Sequence, residues 1–101
     1  MLTQIMPYEY FDVFNPKETT FDLAEFNPDV IVHTGALTHV DYCETHQDES
    51  YKHTVESTEK AIELANRMNA KFVYISSDYI FDGENGPYAE YDDSNPLSVY
   101  G

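Results

Sequence analysis

His39, Cys43 and His46 stand four and three residues apart, so on a helix they share one face, and an imidazole, thiolate, imidazole set is zinc-binding chemistry. No fourth ligand lies at a telling spacing, because His53 falls on the next helical segment. The plainer reading is a short polar helix, and no metal is expected. A different chemistry attaches to Thr34-Gly35-Ala36-Leu37-Thr38, whose small residues let a flat or extended ligand approach the backbone closely. Ser76-Ser77-Asp78-Tyr79 sets hydroxyls, a carboxylate and a phenol side by side, and Asn95-Pro96-Leu97-Ser98-Val99-Tyr100-Gly101 supplies a second tyrosine. Taken singly, Ser77 and Tyr100 would be an ordinary surface serine and a turn tyrosine, and Tyr79 a packing residue. His33, inside an apolar run, reads as a hydrogen-bonded core histidine rather than a ligand.

What raises these runs above background is the order of elements that must position them. Tyr10 to Val13 is expected to form a short strand, and Asn15-Pro16 opens a helix over about Pro16 to Glu25 that stops before Asn27-Pro28. Asp29 to Thr34 is an apolar run bounded by Pro28 and Gly35 and predicts a strand buried on both faces. From Asp48 to Met68, Tyr51, Val55, Thr58, Ile62 and Ala65 recur at helical spacing, and Asn69 supplies a left-handed stop. Lys71 to Ser77, with Phe72, Val73, Tyr74 and Ile75 in a row, predicts another strand covered on both faces. Asp82 to Gly101, rich in Gly, Pro, Asn and Asp, reads as ordered loop. Strands alternating with helices predict an α/β fold with a parallel sheet. In such sheets ligands bind outside the carboxyl ends of the strands, which is where the Thr34 and Ser76 runs fall.

Composition removes several function classes. The 101 residues carry 19 acidic against 5 basic side chains, a formal charge of -14, and no Lys/Arg cluster that could track a phosphate backbone, so nucleic acid is not an expected partner. No stretch nears the roughly 20 apolar residues of a membrane span, and Met1 to Tyr10 lacks the basic flank and apolar core of a signal peptide. One cysteine, Cys43, allows no intrachain disulfide, so a cytoplasmic location is the default expectation. No repeat or linker divides the chain, and residues 1–101 read as one unit.

Several motifs in order then carry a family resemblance. Tyr74-Ile75-Ser76-Ser77-Asp78-Tyr79-Ile80-Phe81-Asp82-Gly83, Pro87-Tyr88 with Glu90, Asn95-Pro96-Leu97 and Val99-Tyr100-Gly101 resemble the central block of the dTDP-4-dehydrorhamnose reductases, extended short-chain dehydrogenases. Asp12 with Asn15-Pro16, Pro28-Asp29-Val30-Ile31-Val32 and Ala36-Leu37-Thr38-His39-Val40-Asp41 fit the same family at similar spacing. The resemblance implies a Rossmann-type doubly wound sheet and hydride transfer from NADPH or NADH to a 4-keto deoxysugar nucleotide. It makes Tyr100 the proton donor to the carbonyl oxygen, with Ser77 hydrogen-bonded to that oxygen. Asp78 and Tyr79 would line the sugar pocket. Asp12 and Val13 would flank the adenine end of the cofactor, and Ala36, Leu37, Thr38 and Tyr100 its nicotinamide half. The regulatory subunit of methionine adenosyltransferase is similar to the same block, so a binding module for another enzyme is the alternative, as is a reductase or epimerase for a different sugar nucleotide.

The departures from that family matter too. The Gly-rich turn that seats a pyrophosphate, and the first strand before it, have no counterpart here, so the expectation is a partial NAD(P)-binding domain, the central piece of a longer reductase. A free tyrosine titrates near pH 10 and needs a neighbouring cation to exchange protons near neutrality. The family's lysine would fall three residues past Gly101, and the chain by itself is therefore expected to be inactive. Without its first strand, the strand over Asp29 to Thr34 is expected to leave the chain marginal or sticky. The usual asparagine of the long helix is replaced by Thr54 and that of the strand-end motif by His33. Family members are often dimers, so a homodimer of the complete protein is implied, although no residue marks its interface.

Overall fold

A computed structural model describes residues 11–15 and 23–101. Asp12 governs the first of these segments. Its carboxylate accepts the Phe14 N–H (2.9 Å) and its carbonyl accepts the Asn15 N–H (3.1 Å), a turn in which an Asp side chain satisfies the backbone locally. The strand expected over Tyr10 to Val13 is therefore not formed at Phe11 to Val13, and Tyr10 lies outside the described residues. Most of the helix expected over Pro16 to Glu25 is likewise outside them. Its described end, α1 (Leu23–Phe26), runs one residue further and stops where Asn27, ahead of Pro28, takes φ 51°.

Two strands, β1 (Val30–His33) and β2 (Lys71–Tyr74), pair in parallel with Val30 opposite Lys71 and His33 opposite Tyr74. The fold is thus α/β with a small parallel sheet, as the alternation of strand and helix patterns requires. Between the strands run α2 (Val40–Thr45), α3 (Gln47–Tyr51), a π-helical turn over Lys52–Glu56, and α4 (Ser57–Arg67). α4 ends in a Schellman arrangement: Ala70 N–H bonds Ala65 O (2.9 Å), Asn69 N–H bonds Asn66 O (3.2 Å), and Asn69 sits at φ 54°, the left-handed stop expected there.

Two expectations about burial are corrected. The strands are not covered on both faces: Ile31, His33 and Phe72 are half-buried, whereas Val32 on the opposite face is 56% exposed. The physical reason is that α4 packs on the strands and, among the described residues, no other helix does. The long helix also does not bury Tyr51, Val55 and Ile62, which are 54%, 38% and 39% exposed. It buries Ser50, Ser57, Ala61 and Ala65, with Thr54 half-buried between them. Of these, Ala65 belongs to the expected stripe, while Ser50, Ser57 and Ala61 lie one position before it; their small side chains let the helix backbone lie close to its neighbours and leave the larger groups on its flank.

The π-helical turn is held by hydroxyls. Ser57 N–H reaches back five residues to Lys52 O, and the carbonyls that this longer step disturbs accept Ser57 Oγ (His53 O, 2.6 Å) and Thr58 Oγ1 (Thr54 O, 2.6 Å). Each such bond contributes on the order of 1 kcal/mol when its acceptor is otherwise cut off from water.

After β2 comes one 3-10 turn, Asp78–Ile80, and then irregular chain to Gly101. Asp82 organises that segment. Its two oxygens accept Glu84 N–H, Tyr88 O–H and Asn95 Nδ2–H, each at 2.9 Å, while Phe81 and Tyr88 stack at 4.2 Å. No helix among the described residues is long and apolar enough to cross a membrane.

Candidate functional site

Ser77 stands at the exit of β2 as the N-cap of the 3-10 turn, in extended backbone (φ -137°, ψ 150°). Its Oγ accepts the Tyr79 N–H at 3.1 Å, a local side-chain cap that serine forms readily. Because the oxygen is used as an acceptor, the hydroxyl proton is left to donate elsewhere, and the bond it accepts strengthens it as a donor.

Tyr100 reaches the same place from the far end of the chain. Glu44 Oε1 on α2 accepts the Val99 N–H at 2.7 Å, a link across 55 positions, and Ser98 Oγ accepts the Gly101 N–H at 3.2 Å. The Tyr100 ring meets Tyr79 edge-on, with centroids 5.4 Å apart and planes at 78°. Gly101 makes this approach sterically feasible. A Cβ there would run into the Tyr79 carbonyl oxygen and lie 2.7 Å from Pro96 Cβ, so only glycine fits.

Ser77 and Tyr100 line one cleft of about 370 Å³, floored by Ala36 and Tyr74 and walled by Ser50, Thr54 and Val55. Asp12, Val13, Ala36 and Leu37 line a second, larger groove of about 630 Å³, together with His33, Lys52 and His53. Ala36 belongs to both, so the loop after β1 is the threshold between them. Asp78 and Tyr79 face a third cleft of about 420 Å³ beside Asp82 and Leu97. Thr38 lines none of these three.

The loop that forms the threshold is held at one residue, Leu37. Thr54 Oγ1 accepts the Leu37 N–H at 3.1 Å, and Cys43 Sγ donates to the Leu37 carbonyl at 3.4 Å. Cys43 is fully buried, and this contact accounts for its place in α2. His39 accepts the Tyr42 N–H at the start of α2 (3.4 Å), and His46 stacks on the Tyr42 ring at 3.7 Å. The three residues spaced as zinc ligands thus serve two separate partners, Tyr42 for His39 and His46 and Leu37 for Cys43, and no metal-binding group of His, Cys, Asp and Glu occurs among the described residues. The Glu49 carboxylate, accepting the Tyr42 hydroxyl at 2.7 Å, holds that phenol above its usual pKa.

His33 departs from expectation. Its ring stacks on those of Phe72 and Tyr74 at interplanar angles of 28° and 27°, with centroids 6.0 and 6.1 Å away, but its buried Nε2 has no hydrogen-bond partner among the described residues. A core histidine would be expected to bond fully; this one lines the larger groove with its Nε2 shut off from solvent and unsatisfied.

Sequence reasoning missed Glu44, Cys43 and Ser50 as builders of the site. Glu44 carries no local signal, since its partner Val99 lies 55 positions away, and Ser50 carries none because a serine in a helical run does not announce its burial against the cleft. Asp82 was within reach of such reasoning, because Asp-Gly marks a turn in which the carboxylate caps backbone N–H groups.

Comparison with known proteins adds the following. Residues 3–101 match the family model described as the RmlD substrate binding domain. The chain is 36% identical over 94 residues to methionine adenosyltransferase 2 subunit beta of Bos taurus, covering 93% of this chain and 28% of that protein. It is 35% identical over 98 residues to dTDP-4-dehydrorhamnose reductase of Aggregatibacter actinomycetemcomitans, covering 95% of this chain and 33% of that protein. Its fold is similar, at a TM-score of 0.74 and 32% identity, to dTDP-4-dehydrorhamnose reductase of Bacillus anthracis crystallised in complex with NADP, covering 78% of this chain and 29% of that one. The chain therefore spans about a third of the length of the curated relatives it matches.

Proposed function

Because the chain belongs to the RmlD substrate-binding-domain family, we propose that it forms the carbonyl-facing part of a nicotinamide-dependent reductase acting on a 4-keto deoxysugar nucleotide, as in dTDP-rhamnose formation. The observation that carries this reading is the single cleft lined by both Ser77 and Tyr100, joined at Ala36 to the groove of Asp12 and Val13.

The residues fit a nicotinamide dinucleotide. Asp12 and Val13 would hold the adenine end and Ala36 and Leu37 the nicotinamide half, with Thr38, which lines neither cleft nor groove, supporting the same loop. When bound, the cofactor supplies the hydride to the carbonyl carbon. Ser77 donates a hydrogen bond to the carbonyl oxygen, stabilising the charge that grows there, and the Tyr100 hydroxyl delivers the proton that completes the alcohol. Asp78 and Tyr79 would hold the sugar from the adjoining cleft.

The test is NADPH oxidation by the protein at its full encoded length with a dTDP-4-keto-6-deoxyhexose. Turnover is expected, falling about 10²-fold or more in Tyr100→Phe and by a similar factor in Ser77→Ala. No oxidation by the unaltered protein across a panel of 4-keto sugar nucleotides would overturn the reading. The likeness to methionine adenosyltransferase 2 subunit beta favours a second reading, a binding module for a synthetase. Co-purification with a methionine adenosyltransferase, without turnover of any sugar nucleotide, would select it.

A further inference from the structure

The backbone of Leu37 is gripped on both sides of its Cα by side chains from two different helical segments. Thr54, in the π-helical turn, takes its N–H, and Cys43, in α2, donates to its C=O. Neither grip is incidental. Leu37 lies in a loop outside both strands, so no sheet partner satisfies its N–H and carbonyl, and a part-buried peptide left unbonded is costly. Thr54 is kept in place by the turn itself, since its own carbonyl accepts Thr58 Oγ1 at 2.6 Å and Ser57 Oγ at 3.3 Å. Cys43 is kept in place by complete burial. Leu37 follows Ala36, the residue that lines both the Ser77–Tyr100 cleft and the Asp12–Val13 groove. The Leu37 N–H and C=O belong to successive peptide groups on either side of its Cα, and because the Ala36 carbonyl is coplanar with the Leu37 N–H, holding that N–H orients the Ala36 carbonyl as well.

We infer that Thr54 and Cys43 are a pair of positioning residues that lock the Leu37 peptide and so set the threshold over which a nicotinamide dinucleotide passes from groove to cleft. The inference rests on the reductase reading, deepening it with two residues that act through the Leu37 backbone, Thr54 from the lining of the cleft and Cys43 from its buried place in α2. Chemically, the two grips are unequal. The N–H bond to a hydroxyl is the stronger, and the thiol bond is a weak one made useful by its dry surroundings. Removal of the threonine hydroxyl is therefore the larger perturbation. Thr54→Val retains the shape and branching of the side chain but removes the acceptor, and Thr54→Ser retains the acceptor.

Two measurements on the protein at its full encoded length test this. Amide hydrogen exchange at Leu37 reads the lock directly: Thr54→Val is expected to speed it about tenfold or more, with Cys43→Ala producing a smaller acceleration. NADPH affinity reads its purpose: Thr54→Val is expected to weaken binding about tenfold, Cys43→Ala less, and Thr54→Ser is expected to restore the original value. Faster exchange with unchanged NADPH affinity would overturn the positioning role while leaving the reductase reading intact. Unchanged exchange in Thr54→Val would show that the lock does not exist. Failure of the unaltered protein to bind NADPH would remove the reductase reading itself, and the positioning role with it.

Discussion

Asp82 shows how much of the last segment depends on one side chain. Bonds from the Glu84 backbone N–H, from Asn95 and from Tyr88 all favour its ionised form and hold its carboxyl below the usual range. A carboxyl lowered on folding stabilises the folded state at every pH above its unfolded value, and that contribution disappears as pH falls through the lowered folded value. The order of the Phe81–Tyr88 stack should thus be constant from neutrality to about pH 5 and fade only below about pH 4. Ring chemical shifts of Tyr88 against pH check this, and Asp82→Ala should show a loosened stack throughout. At this scale the sequence was legible wherever chemistry and chain order coincide. Ser77 and Tyr100 could be singled out because their motifs are continuous. Cys43 could not, because its contact with Leu37 depends on how α2 folds back beneath the loop.

Elements were legible in type more than in orientation. Asn27 and Asn69 mark helix stops where left-handed backbone was foreseen at Asn69 and a halt foreseen before Pro28. The buried face of the long helix was misjudged except at Ala65, since apolarity points to Tyr51, Val55 and Ile62 while close packing selects Ser50, Ser57 and Ala61. The two alternatives predict opposite mutational results. Ala61→Leu should destabilise by about 1–3 kcal/mol through overpacking, whereas Ile62→Ala, at a partly exposed site, should cost about 1 kcal/mol or less. Thermal or denaturant unfolding of both variants decides between them. The misjudgement has a physical source: hydrophobic periodicity reports which groups avoid water, not which are small enough to sit where two backbones converge.

For the molecule as a whole, the parallel sheet explains the most. A parallel sheet is usually covered on both faces, yet Val30, Val32 and Val73 lie open on the face away from the half-buried Ile31 and Phe72. Apolar strand surface of this kind seeks a partner. A polypeptide of these 101 residues alone is expected to self-associate in sedimentation velocity, and Val32→Lys with Val73→Lys is expected to shift it toward monomer. Unchanged association in the double variant would place the contact elsewhere. The two strands and the parallel sense of their sheet were legible from two apolar runs, but the exposure of one face was not, because a run buried in a complete sheet and one open to solvent have the same composition.

The π-helical turn over Lys52–Glu56 places a constraint on length as well as on composition. A π turn holds one residue more than an α-helical turn, so losing one residue between Tyr51 and Ser57 would let the chain close into continuous α-helix with both flanks in register. Gaining one has no such outlet: each added residue turns a helix by about 100° and would swing Ser50 out of the cleft while Ala61 and Ala65 stayed against the sheet. Substitutions along this helix are graded in their effect; a change in its residue count depends on its sign.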